Sequence, residues 1–271
     1  MDNGEAVRGA IELSWVDMTI AAALVLVAGG VSIALRLGLE RRLAVASVRT
    51  VVQLLLVGFI LRQVFDIDSA WLLLGLLVAM TVVASFAAVG RSTRTFRGVT
   101  AQAFITLLLT GLVTTFTVTG AIIGIEPWYR PQYVIPLLGM VLGNSLTGIS
   151  LSLDHLLERL SAGQRVVEME LSHGATRWEA ARAPLAEAVR RGMIPVINSM
   201  MVVGIVALPG MMTGQILEGA DPMKAVMYQI VVMFMIAAAT ALGCMLIGLL
   251  ACHRLFNSRH QLRADLIRPR G

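Results

Sequence analysis

Charge is scarce in this chain of 271 residues. Only 14% of them are Asp, Glu, Lys or Arg, against 57% hydrophobic, whereas soluble domains carry about a quarter charged residues. With a mean hydropathy of +0.79, an ordinary soluble domain is excluded. Lysine is almost missing: Lys224 is the only one, and Met223 precedes it. A phosphate-binding loop needs Gly-Lys-Ser/Thr, so this chain cannot build one and is expected to hold no ATP or other cofactor itself. Cysteine is limited to Cys244 and Cys252. Eight residues apart on one apolar run, they are about 12 Å apart along a helix axis, too far to pair with each other, and they read as packing thiols. The four histidines (His155, His173, His253, His260) show no His-x3-His spacing, so no zinc-type site is supported and no metal ligand is assigned. Short alternating segments, which a membrane β-barrel requires, are absent as well.

What the chain has in abundance is long apolar runs, near 16–35, 44–65, 70–90, 99–124, 132–153, 192–217 and 225–252. A hydrocarbon core of ~30 Å takes about 20 apolar residues per crossing. The expected fold is therefore all-α, a single multi-pass membrane domain over 1–271 with about seven transmembrane helices. The second run is the weakest, because only twelve residues separate Arg49 from Arg62, and one or both must snorkel or lie against protein. The amino terminus, MDNGEAVRGAIELSW, is acidic where a signal peptide would be basic, so the first span is expected to be retained.

Eighteen of the 22 basic residues fall in alternate loops and the carboxyl-terminal tail. The positive-inside rule then places the amino terminus outside and the carboxyl terminus in the cytoplasm. An odd number of spans requires that inversion, so count and charge agree. The same dispersal argues against nucleic-acid binding. Trp15, Trp71, Trp128, Tyr129 and Tyr133 lie at outer boundaries, as an interfacial aromatic belt would.

One segment breaks the pattern. Residues 154–191 are polar, with helix-forming composition, and Gly163, Gly174 and Pro184 divide them into about three pieces. The middle piece is short and amphipathic and ends at Gly174-Ala175-Thr176, where a tight turn, with positive φ or close approach at Gly174, is expected. Thr176 can then cap a helix carrying Trp178, Glu179 and Arg182. A short helix of this kind suits a groove on a soluble partner, and exposed Trp and Arg favour such contacts.

Glu168-x-Glu170-Leu171-Ser172-x-Gly174-Ala175-Thr176 resembles the coupling-helix loop of ABC-transporter permeases, which runs E-A-A-x-x-x-G. Glu168 and Gly174 match, while Met169 and Glu170 replace the two alanines. Over most of its length the chain is similar to the FetB (YbbM-type) permease family, through PLLGMVLGN (136–144), GIVALPGMMTGQILEGADPMKAVMYQI (204–230) and NSRHQL (257–262). That resemblance implies a membrane subunit of an iron-export ABC transporter in the cytoplasmic (inner) membrane. It implies a separate ATPase subunit holding ATP and Mg, and a permease homodimer with two ATPases. The chain itself would be no enzyme. The same family resembles a plant half-transporter linked to aluminium tolerance and nucleotide-sugar movement, so an organic solute, or import, stays open as an alternative. EAA-like loops are best known from importers.

Polar groups inside apolar runs are the candidate substrate path. They are Arg49 and Gln53, Asn144, Asn198 and Gln215, with Met201 and Met212 beside them. Glu218 and Asp221 stand at the outer mouth. Asn198, Met201, Ile205, Leu208, Met212 and Gln215 recur at helical spacing, as one face of a helix that Pro209 must distort. Ten of the fifteen methionines lie between Met193 and Met245. Thioethers suit soft metals, yet methionine also fills helix interfaces that must repack. Gly139-x3-Gly143 and Gly148 form a small-residue face for close helix approach, within the subunit or across a dimer. An intramembrane hydrolase is disfavoured, because no histidine lies well within a span and Gly148-Ile149-Ser150-Leu151 lacks the glycine expected after a nucleophilic serine. A passive channel would have no use for the polar segment.

Overall fold

The computed structural model describes residues 14–66 and 69–270. The acidic amino-terminal stretch through Leu13, the Ile67-Asp68 step and the side chain of Trp15 lie outside them. Among these described residues, regular structure is helical apart from one antiparallel pair, β1 (Arg94–Thr95) with β2 (Arg268–Pro269).

The chain divides into two compact units. The first contains α1 (Trp15–Ala34) and α2 (Glu40–Asp66), together with residues 214–220. Ser14 and Asp17 start α1 by capping each other's backbone N–H, at 3.2 and 2.9 Å. Ser32 closes the α1–α2 corner, accepting from the Leu39 N–H and donating to Glu40, both at 2.9 Å. Arg49, Gln53 and Arg62 are all exposed on α2.

The second unit contains α3 (Ala70–Gly90), α4 (Val99–Phe116) with a π-helical extension over Thr117–Ile123, α5 (Pro131–Ala162), α6 (Gln164–Ser172), α7 (Arg177–Val202) and α9 (Pro222–Leu255). The helix α8 (Gly210–Leu217) begins in this unit and ends in the first. The core is the mutual packing of α5, α7 and α9, with Val141, Ile149, Leu156, Leu160, Ala188, Ala239 and Ile247 fully buried. Glycines set the approach. A Cβ on Gly192 would sit 2.7 Å from the Gly148 carbonyl oxygen and 2.5 Å from Cys244 Sγ, and one on Gly148 would sit 2.8 Å from the Gly192 carbonyl oxygen. Of the expected small-residue face, Gly148 is the member at this crossing. Gly139 makes only an ordinary contact with Met80, and nothing lies within 4 Å of a Cβ on Gly143.

Six described helices are long and apolar enough to cross a membrane: α1, α2, α3, α4 with its extension, α5 and α9. Trp71, at the start of α3, and Trp128 are both exposed. Two expectations are corrected. Pro184 does not divide the polar segment, since α7 runs through both Pro184 and Pro195 to Val202. The sixth apolar run, 192–217, is not one helix. The last turns of α7 use 192–202, residues 203–209 are irregular, and α8 resumes at Gly210. Gly204, at φ +83°, turns the chain there, and the N–H groups of Ile205, Val206 and Ala207 all reach the Val202 carbonyl. The supposed face from Asn198 to Gln215 is therefore interrupted well before Pro209.

Candidate functional site

At the polar end of the second unit, Gly163 ends α5 and α6 follows at once. A Schellman turn closes α6: the Ala175 N–H donates to the Glu170 carbonyl at 3.2 Å and the Gly174 N–H to the Leu171 carbonyl at 3.1 Å. Gly174 takes φ +92°, the left-handed conformation expected of it. Two residues on, Thr176 and Glu179 form a capping box, with the Thr176 N–H donating to Glu179 Oε2 at 2.7 Å and the Glu179 N–H to Thr176 Oγ1 at 3.4 Å. These bonds from the Thr176 backbone and side chain hold the Glu179 carboxyl below its ordinary 4.5.

The elbow exposes Glu168, Met169, Glu170, Ser172 and Gly174, keeps Leu171 and Ala175 half-buried, and buries Val167. Trp178 is 41% exposed, with the Arg177 guanidinium carbon 5.2 Å from its ring centroid. Beneath it, α5 and α7 are tied by Glu187, which lies 3.2 Å from His155 Nε2 and 3.3 Å from Arg159 Nε.

The carboxyl-terminal tail completes this end. Asn257 Oδ1 accepts from the N–H groups of Arg259 and Gln261, both at 2.9 Å, and His260 takes φ +58°. That turn places His260 Nδ1 to accept the Arg177 N–H at 3.0 Å. A cleft of about 650 Å³ lies between α6 and the tail, lined by Glu168, Leu171, Ser172, Arg259, His260 and Arg263. Farther on, β2 pairs with β1, and the Arg270 guanidinium donates to the Val89 carbonyl. Asp154 holds the other side of that loop, accepting from the Thr93 N–H at 2.7 Å and from the Ser92 hydroxyl at 3.1 Å. Sequence reasoning used the tail only for its charge and its family likeness. The available signal was Asn257, whose side chain commonly bonds backbone two residues on.

At the opposite end of α7 the helix break lines two cavities. The smaller, about 270 Å³, collects Met140 and Asn144 from α5, Ser199 from α7, Pro209 from the break, and Gln229 and Met233 from α9. The larger, about 500 Å³, is mostly apolar and shares Gln229 and Met233, adding Met200, Leu208, Met212 and Phe234. Irregular backbone at membrane depth is tolerated where it lines a cavity or is covered by protein, and here it lines both.

Among the residues singled out from sequence, Asn144 and Met212 border these cavities. Asn198 and Met201 are exposed and border neither. Their neighbour Ser199 does, about 100° around the helix from Asn198. Gln229 was missed, because a lone amide near the start of the long apolar α9 carries no pattern. Gln215, at the α8 end grouped with the first unit, has a buried Oε1 with no hydrogen-bond partner among the described residues. Glu218 is exposed. Asp221 caps α9, accepting the Lys224 N–H at 3.0 Å. No described group of three or more His, Cys, Asp or Glu could hold a metal.

A polar elbow between two long helices and a cavity-lined helix break, with six membrane-length helices among the described residues, define a multi-pass helical membrane protein. Residues 15–256 match the model of the uncharacterised protein family UPF0014, and the chain belongs to that family. It is similar to a UPF0014 membrane protein of Synechocystis, 35% identical across 93% of this chain and 97% of the relative. It is 33% identical to the "Probable iron export permease protein FetB" of Escherichia coli, over 91% of this chain and 93% of that one. With the Arabidopsis thaliana protein ALUMINUM SENSITIVE 3 it shares 32% identity, over 91% and 89%. No solved structure matches the chain.

Proposed function

We propose that this chain is the permease subunit of an ATP-driven exporter of iron or a related metal ion. It works by alternating access in the cytoplasmic membrane as a homodimer, with each copy gripping a separate ATPase that holds ATP and Mg. The name of the Escherichia coli relative supports permease and iron, and the chain's own lack of a Gly-Lys-Ser/Thr loop supports a separate ATPase. The distribution of 18 of 22 basic residues supports a cytoplasmic elbow and tail.

The observation that carries the reading is the continuity of α7. One unbroken helix has Thr176, Trp178 and the elbow at its start and Ser199 at the cavity near its end. From Trp178 to Ser199 is about 32 Å at 1.5 Å per residue. A displacement of the elbow by a closing ATPase would therefore reach the cavity as a tilt of one rigid rod, with α5 moving alongside through Glu187. A photo-crosslinking residue in place of exposed Met169, in the full chain in its native membrane, tests this. The expected adduct is an ATPase polypeptide. No ATPase adduct from position 169 or from position 170 would contradict the reading.

A further inference from the structure

We infer that one face of α2 is a binding site for an anionic phospholipid, with Arg42 and Arg49 holding the phosphate. The inference goes beyond the permease reading and needs only that the chain crosses a membrane. At about 100° per residue, Arg42, Arg49, Gln53, Leu56 and Ile60 fall within about 60° of one another around the helix. Arg42, Arg49, Gln53 and Leu56 are exposed there, and Ile60 is half-buried. Half-buried Leu43 and Ser47 mark a different side of α2.

Arg49 is the anomaly on this face. It stands about 14 Å along the axis from Glu40, where α2 begins, and it is the sole charged residue between Arg42 and Arg62. A guanidinium cannot shed its charge, and one facing hydrocarbon is costly. The helix itself offers no carboxylate between Glu40 and Asp66, and Glu40 accepts from the Ser32 hydroxyl at 2.9 Å. Neither Arg42 nor Arg49 takes part in an ion pair among the described residues. Nearby hydroxyls are used within the helix, Ser47 donating to the Leu43 carbonyl at 2.8 Å and Thr50 to the Ala46 carbonyl at 2.9 Å. This face calls for an anion from outside the helix.

The order of groups along α2 makes that anion a lipid. Helical side chains lean toward the amino terminus of their helix, which at α2 is the arginine-rich end, so Arg49 snorkels about one turn back toward Arg42. The two guanidiniums then share one phosphate, which suits their forked donors and lies toward the positive end of the helix dipole. One turn deeper, the Gln53 amide is placed to donate to an ester carbonyl, and beyond it Leu56 and Ile60 lie along the acyl chains. Phosphate, ester and hydrocarbon follow in the order in which a glycerophospholipid carries them. A free phosphate would leave Gln53 and the apolar part of the face unused. Two arginines would repel a metal cation, so Arg49 and Gln53 serve a lipid rather than the metal's path.

Native mass spectrometry of the purified full chain, titrated with phosphatidylglycerol or with phosphatidylcholine, tests this. One phosphatidylglycerol should bind ahead of all others, and more tightly than phosphatidylcholine, whose phosphate is neutralised by its own choline. Arg42→Gln and Arg49→Gln should each weaken phosphatidylglycerol binding about fivefold, and Gln53→Leu should weaken both lipids alike. Arg41→Gln, about 100° around the helix from Arg42, should change neither by as much as about twofold. All four positions are exposed, so the variants should elute and melt like the parent; if Arg49→Gln does not fold, Arg42→Gln against Arg41→Gln still decides. The site is overturned by equal binding of the two lipids, by an Arg41→Gln loss as large as that of Arg49→Gln, or by displacement of the lipid with inorganic phosphate at constant ionic strength. It is also overturned if Arg49→Gln changes the number of copies per particle and leaves lipid binding unchanged, which would give this face to a second copy of the chain. Failure of the permease reading would leave each of these outcomes as it stands.

Discussion

At Gly192 the absent side chain is the structural feature. The α5–α7–α9 crossing is so close that a methyl group there meets a backbone carbonyl at 2.7 Å, which cannot move without shifting α5. Gly192→Ala is therefore expected to destabilise the protein by about 1–3 kcal/mol, the usual cost of overpacking, seen as a lower melting temperature in detergent. Gly143→Ala, facing open space on the same α5, should leave melting unchanged. The Glu179 carboxyl gives a second residue-scale test. Its pKa is lowered in the folded chain by the Thr176 bonds, so its capping contribution is complete above the unfolded value of 4.5 and is lost as pH falls through the folded value. Amide exchange at residues 177–180 should accelerate as pH drops below 4.5, after correction for intrinsic rates. In Glu179→Gln, which accepts hydrogen bonds without titrating in this range, that acceleration should vanish. Equal pH dependence in both proteins would contradict the assignment.

The elements show what was legible and what was not. Six of the long helices were readable because hydropathy registers burial in lipid or protein regardless of contacts. The elbow was readable because Gly163, Gly174 and Thr176 act locally, through backbone conformation and capping. Pro184 misled because a proline forbids only one hydrogen bond, and the packing of α7 between α5 and α9 outweighs that loss. The face through Asn198 and Met201 misled because helical spacing carries no warning of a turn at Gly204. Gln229 was invisible for the complementary reason: the cavity it lines is shared with Asn144 and Ser199, distant in sequence. The elbow supports one prediction. A β-branched side chain at φ +92° is strained wherever it points, so Gly174→Val should reshape the Schellman turn while leaving the buried glycine crossing untouched. Trp178→Ala should weaken ATPase assembly by about 2 kcal/mol, or ~30-fold in affinity. Isothermal titration with the purified ATPase would measure both, and unchanged affinity in the two variants would remove the elbow from the interface.

For the whole molecule, the family fixes the kind of protein and the geometry suggests how it works. UPF0014 membership and the six membrane-length helices among the described residues make it a multi-pass membrane protein. The proposal adds a direction, a cargo and an engine: an ATPase at the elbow, α7 as the rod, and a metal ion leaving past the broken helix. Those three meet in one measurement, ATP-dependent accumulation of labelled iron in inside-out vesicles containing this chain and its ATPase. The account predicts accumulation that needs both subunits and ATP, and that collapses in the Gly174→Val protein although it inserts normally. Accumulation that persists without the ATPase, or iron that moves only in the opposite direction, would contradict it.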